Sequence, residues 1–168
     1  PTAARLRWLL NLRNRVPVLA MLGEKLCGLS ARRALPSWRL PFSAAVAQMS
    51  AMPRGEDKEV LLFIDTFNNY MEPDNAHAAQ RVLEALGYTV HLSCAQGQGG
   101  RPLCCGRTFL SAGLVDEAKA EAKRSLDALL PYVERGVAVV GLEPSCLLTM
   151  RDEFLHYGFG KAARLSES

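Results

Sequence analysis

Val60-Leu61-Leu62-Phe63-Ile64-Asp65-Thr66 begins as an unbroken apolar run of strand length and ends in two polar residues. A strand that is apolar at every position, rather than at alternate ones, is covered on both faces. That is the signature of a parallel sheet with helices on either side. Reading onward, Asp74 or Asn75 can cap a helix reaching Leu86, with Ala79, Val82, Leu83 and Leu86 on one stripe. Gly87 stands where a glycine terminates such a helix. Tyr88-Thr89-Val90-His91-Leu92 reads as a second strand.

A glycine-rich stretch, Gln96 to Gly100, leads into Leu103-Cys104-Cys105-Gly106. A long helical pattern follows from Val115 to about Arg135, with Ala118, Ala122, Leu126, Leu129, Leu130 and Val133 facing inward. Pro131 is expected to kink that helix or end it early. Val137 to Leu142 reads as a third strand. Glu143-Pro144-Ser145-Cys146 then turns into a last helix through Leu147, Leu148, Arg151, Phe154 and Leu155, with Ser145 as its cap. The fold class expected is α/β: a small three-stranded parallel sheet of Rossmann-like β-α-β-α-β-α order with flanking helices.

Upstream of the run the pattern is different. Residues 3–13 and 17–29 have helical apolar spacing, with Pro17 in a first turn where its missing N–H costs nothing. Pro36, Pro41 and Pro53 interrupt the stretch that follows, for which Trp38 and Phe42 are the expected anchors. The domain reading is a helical arm over 1–30, an extended linker over 31–58 and a cysteine-bearing α/β unit over 59–168. Residues 1–54 carry nine Lys and Arg against Glu24 alone, net +8, and the remainder eleven against sixteen, net −5. Because the basic residues are interleaved with Leu, Val and Trp rather than clustered, nucleic acid is not the partner expected. An acidic membrane face or an acidic neighbouring domain suits the arm better. No apolar run approaches the roughly 20 residues of a membrane span. The chain starts at Pro1, which reads as a fragment of something longer.

Five cysteines, Cys27, Cys94, Cys104, Cys105 and Cys146, are an odd number, and no secretion signal accompanies them. Clustered thiols in such a chain favour metal or redox chemistry over structural bridges. The chemistry-bearing positions fall after the three strands: Asp65-Thr66, Cys104-Cys105 and Glu143 to Cys146. In open α/β sheets that edge is where ligands bind. Cys94 and Cys27 have no motif around them and read as structural, as do His77, His91 and His156. Gly97, Gly99 and Gly100 do not join a strand directly to a helix and so make no phosphate fingerprint. Asn68, Asn69 and Tyr70 look like turn chemistry.

Leu103-Cys104-Cys105-Gly106 and Glu143-Pro144-Ser145-Cys146 resemble the cysteine-rich "CCG" domain of heterodisulfide reductases, glycolate oxidase iron–sulfur subunits and lactate-utilisation proteins. With Phe63 to Phe67, Glu72-Pro73 and Arg101 to Phe109, residues 59–157 look like the C-terminal region of FAD-linked oxidases of the D-lactate or D-2-hydroxyglutarate dehydrogenase type. Leu29 to Pro36 is similar to the connector after the ferredoxin-like part of those chains. Thr66 and Glu143 stand where the family has cysteines, and a second copy of the motif is absent. The resemblance implies an iron–sulfur cluster in the intact parent, with Cys104, Cys105 and Cys146 as metal ligands and Glu143, or else Asp65, supplying an oxygen. It implies FAD in a domain absent from this chain, so no residue here binds that cofactor, and no acid, base or nucleophile is assigned. The partners it implies are the FAD and ferredoxin-like domains of the parent, within a cytoplasmic enzyme in peripheral contact with a membrane electron chain. Self-association of the fragment is also expected, because a lone three-stranded sheet has open edges.

Two other readings stay open at this point. One is a non-catalytic docking or assembly domain with a degenerate cluster site. The other is a thiol–disulfide module using the cysteine pair with Cys146 or Cys94. More plainly, Cys104-Cys105-Gly106 also suits a tight turn with buried thiols, and Glu143 to Cys146 a helix cap.

Overall fold

The structure is a computed structural model that describes residues 2–43, 58–93 and 101–167. The expected sheet is present. β1 (Glu59–Phe63) lies between β2 (Thr89–Leu92) and β3 (Ala138–Gly141), in the order β2-β1-β3. Both pairings are parallel, with Leu61 opposite His91 on one side and Val139 on the other. The central position explains why the apolar run of β1 has no polar alternation: Val60 to Ile64 are all buried.

Alternate residues of β1 feed two different cores. Leu62 and Ile64 pack with Ala76, Leu92 and the wholly buried Phe42 on one face of the sheet. Leu61 and Phe63 pack with Leu103, Cys105, Leu126, Leu129, Cys146 and Phe154 on the opposite face. The helices are α1 (Thr2–Arg5), α2 (Arg7–Arg15), α3 (Pro17–Cys27), α4 (Thr66–Tyr70) and α5 (Pro73–Ala85). They continue with α6 (Arg107–Ser111), α7 (Val115–Val133), α8 (Pro144–Arg151), α9 (Glu153–His156) and α10 (Ala162–Ser166). The chain reaches β2 over the α5 face and β3 over the α7 face, so the direction of winding reverses at β1. The crevice between the C-terminal ends of β1 and β3 is therefore the switch point where open α/β sheets bind ligands.

Several local expectations are corrected. Asn68, Asn69 and Tyr70 are not a turn but the buried end of the short helix α4, nucleated by Asp65, whose side chain accepts from the Phe67 and Asn68 amides. Pro73, not Asp74 or Asn75, opens α5, its missing N–H costing nothing in the first turn, and Glu72 takes the cap position without a side-chain cap bond. The inward stripe of α5 is Ala76, Ala79 and Leu83, while Val82 and Leu86 are exposed. Pro131 lies inside α7, which runs only two residues further. The last predicted helix is divided at Asp152 into α8 and α9; Cys146, Thr149, Met150 and Phe154 are buried, and Leu148 and Leu155 are exposed.

The N-terminal residues form a helical hairpin that carries little core of its own. α2 and α3 pack on each other, and among their described side chains only Ala20 is buried. Trp8, Leu9, Leu10, Val18, Met21, Leu22 and Leu26 are exposed. Asn11 holds the Trp38 backbone through both its amide groups at 2.8 Å, and Asn14 does the same for Leu35. Trp38 in turn lies 5.8 Å from the Tyr70 ring, and Arg39 pairs with Asp74, so the extended stretch ties the hairpin to the start of α5. The rest of the linker, with Pro53, lies outside the described residues, as do Cys94 and the glycine-rich stretch. No helix among the described residues is long and apolar enough to cross a membrane.

Candidate functional site, a cysteine rim

α7 builds one wall of the site by gripping the segment that carries the paired cysteines. Arg124 donates to the Arg101 and Pro102 carbonyls, and the Ser125 hydroxyl donates to the Cys104 carbonyl at 2.8 Å. Glu121, buried on the same helix, pairs with Arg124 at 2.7 Å and with Arg101. Burial pushes the Glu121 carboxyl up, but the two guanidinium groups win and hold it below the usual carboxylate range. Leu103, 1% exposed, plugs the segment into the core. Sequence reasoning missed this clamp. Its signal was nonetheless available: Glu121 and Ser125 interrupt, at helical spacing, the apolar stripe of Ala118, Ala122 and Leu126.

Gly106 completes the wall. It adopts φ +80°, and a Cβ there would lie 2.7 Å from the Ala118 carbonyl oxygen. The backbone before α6 thus rests directly on α7, which only glycine permits.

From the other side, Glu143 fixes the start of α8. Its carboxylate accepts from the Ser145 amide at 3.2 Å and from the Ser145 hydroxyl at 2.8 Å. Glu143 is therefore the cap, correcting the expectation that Ser145 plays that part. Ser145 falls inside the first turn because Pro144 demands an extended residue before it, and Glu143 has φ −109° and ψ 107°.

The two walls bring sulfurs 41 residues apart into contact. Cys105 Sγ lies 3.0 Å from Cys146 Sγ, and both side chains are buried. Cys104, half-buried, has its sulfur against the Gly106 amide at 3.4 Å and the Thr66 hydroxyl. The Cys105 sulfur and burial push the Cys104 thiol far up. Cys105 is pulled down by Cys104 but pushed up by Cys146 and by burial, ending at about 11. Tyr157 adjoins the group; burial and the nearby Glu153 and Cys105 raise its hydroxyl, which is buried without a hydrogen-bond partner. Arg107, at the head of α6, bonds Glu153 and reaches Thr149 Oγ1 at 3.5 Å.

The oxygen candidates are placed differently. Asp65 is spent on α4, accepting also from the Asn68 side-chain amide at 2.6 Å, and Glu143 is spent on α8. Both line or adjoin the switch-point crevice, a cleft of about 590 Å³ bounded by Phe67, Asn68, Glu72, Asn75, Leu142 and Glu143, but among the described residues no cysteine lines it. Among the described residues no three His, Cys, Asp or Glu are grouped so as to hold a metal ion. Three soft sulfur donors suit an iron–sulfur cluster in kind, but the described residues do not complete a four-ligand set. Cys27 is exposed at the end of α3, away from the motif in sequence. His91 pairs with Glu59 at 2.7 Å, His77 packs at a tilt against the Phe42 ring, and His156 meets the Asp152 carbonyl, so each histidine is used within the fold.

No family model matches the chain, and no solved structure matches it significantly. It is similar to one of the subunits of the anaerobic glycerol-3-phosphate dehydrogenase of Escherichia coli, in strain K12 and in O157:H7, with 26% identity over 125 residues in each case. That match takes in 73% of this chain and 30% of each relative, so the chain spans less than a third of the length of the curated relatives it matches.

Proposed function

We propose that this chain is an electron-transfer module of a larger oxidoreductase acting on a hydroxyl-bearing substrate, and that Cys104, Cys105 and Cys146 are its thiolate donors to an iron–sulfur cluster. The observation that carries this reading is the contact of Cys105 with Cys146 on one rim of the sheet, with Cys104 adjoining Cys105. Soft donors drawn from two separately clamped elements are an arrangement that packing alone does not call for. The similarity to a dehydrogenase subunit supports the same class. A 2-hydroxy acid, the substrate class suggested by the motifs, and glycerol 3-phosphate, in the relatives' name, both present an alcohol carbon for oxidation.

On this reading flavin bound in other polypeptide supplies hydride abstraction, and iron–sulfur chemistry supplies one-electron passage. What this chain contributes is position. Ser125 and Arg124 fix the paired cysteines, Glu143 fixes Cys146, and Leu103 and Phe63 exclude water from beneath them. Glu143 is the candidate fourth donor, and ligation by it would release the Ser145 amide and hydroxyl. Other donors come from partner domains or from a second copy of the chain. The exposed apolar residues of α2 and α3 support an assembly of that kind, since surfaces of this sort are normally covered. They also favour a second reading, a docking domain whose cluster site is degenerate.

Iron analysis and visible absorption after anaerobic reconstitution test the first reading, in the full chain and in the complex with which it is isolated. Bound iron that is lost with Cys104→Ser, together with dye-linked turnover, supports electron transfer. Iron content and turnover both unchanged by Cys104→Ser would leave docking.

A further inference from the structure

Cys105 and Cys146 are placed for covalent chemistry with each other. Their sulfurs, 3.0 Å apart, are already inside ordinary contact distance for two unbonded sulfurs. Bond formation needs a further approach of only about 1 Å. Each is held from behind: Cys105 lies between the Cys104 carbonyl, bonded to Ser125, and Gly106, seated on Ala118. Cys146 lies in the first turn of α8, whose start is fixed by Glu143. Ordering the two thiols together before reaction gives them a high effective concentration toward each other. Cys104, by contrast, is adjacent to Cys105 in the chain, where ring closure strains the intervening peptide.

We propose that Cys105 and Cys146 form a reversible intramolecular disulfide by exchange with a small disulfide oxidant, and that this state excludes metal from the rim. In the first step one cysteine sulfur attacks the small disulfide, giving a mixed disulfide and one small thiol. The second cysteine then attacks the protein sulfur of that mixed disulfide, forming the Cys105–Cys146 bond and releasing a second small thiol. Both cysteine protons end on the two small thiols, and the oxidant is reduced by two electrons. Closure removes two of the three donors, so only the reduced chain offers the rim to metal. This consequence rests on the electron-transfer reading; the disulfide itself does not. The claim is one of equilibrium, since the sulfurs are buried and access sets the rate.

The full chain is equilibrated across graded ratios of oxidised to reduced glutathione, then acid-quenched, alkylated and digested for mass spectrometry. The expected result is loss of two of the five alkylatable thiols and a peptide linking Cys105 to Cys146, rising with the oxidised share. Cys104→Ser retains that link, and Cys146→Ser abolishes it while Cys105 becomes alkylatable; circular dichroism confirms that both variants are folded. A link between Cys104 and Cys105, a link through Cys27 or Cys94, or five alkylated thiols at the most oxidising ratio each overturns the proposal. Absence of bound iron in the reduced chain would count against the electron-transfer reading while leaving the disulfide map unchanged.

Discussion

Gly106→Ala probes the seat of the cysteine pair on α7, and two separate costs combine in it. Gly106 has φ +80°, a region in which an L residue with a Cβ loses about 1–2 kcal/mol. The added methyl would also lie 2.7 Å from the Ala118 carbonyl oxygen and 3.2 and 3.3 Å from its Cα and carbonyl carbon. These are backbone atoms in the first turn of α7 and cannot rotate aside. The segment before α6 must lift instead, and forced overpacking of this kind costs about 1–3 kcal/mol. Together the loss is about 2–5 kcal/mol, a large share of the roughly 5–15 kcal/mol that stabilises a domain. Gly87→Ala supplies the control. Gly87 has φ +85°, and a Cβ there meets nothing within 4 Å, so only the first cost applies. Urea unfolding of both variants, with reductant present, should place Gly106→Ala below Gly87→Ala by about 1–3 kcal/mol. Equal losses would refute the reasoning, because glycine at 106 would then serve its own backbone angle and not the contact with α7.

Ser125→Ala leaves the Cys104 carbonyl without its 2.8 Å donor, the fully buried Ser125 hydroxyl. It should cost about 1–3 kcal/mol in urea unfolding and speed alkylation of Cys104. Glu121 gives a pH signature. Its carboxyl is held below the usual range when folded, so its stabilising effect is complete above the ordinary carboxylate pKa and is lost as pH falls through the folded value. The urea midpoint of the native chain should therefore fall more steeply on acidification than that of Glu121→Gln, and parallel curves would count against the clamp. Asn11→Ala removes both 2.8 Å bonds to the Trp38 backbone; limited proteolysis should then cut near residues 35–38 several-fold faster, with the α/β unit intact.

Much of this architecture was open to reading from the residues. A central parallel strand is buried on both faces, so Val60 to Ile64 announce it without any partner being known. The α7 stripe and the rim position of the paired cysteines follow from periodicity and strand order. What escaped reading depended on contacts between distant backbone groups. Arg124 and Ser125 act on carbonyls 21 to 23 residues away, and carbonyls are the same in every residue. Val82 and Leu86 read as core because they share a helical period with Leu83, yet α5 crosses a sheet too narrow to cover that much of its surface. The short helices α4 and α6 escaped because five residues carry too little periodicity to be distinguished from a turn.

Glu143 and Thr66, which adjoin the cysteine rim, form part of the same structural logic. Glu143 stands directly before Pro144, where the backbone is extended, and a carboxylate there reaches the Ser145 amide and hydroxyl at once. A cysteine in that place offers the amide a much weaker acceptor. Thr66 sits at the head of α4, with its hydroxyl against the Cys104 sulfur, where a second thiol would crowd sulfurs that already touch. Glu143 and Thr66 each supply a hydrogen bond beside the cysteines. Firmly held sulfurs favour one fixed geometry, the requirement shared by a cluster edge and a closing disulfide.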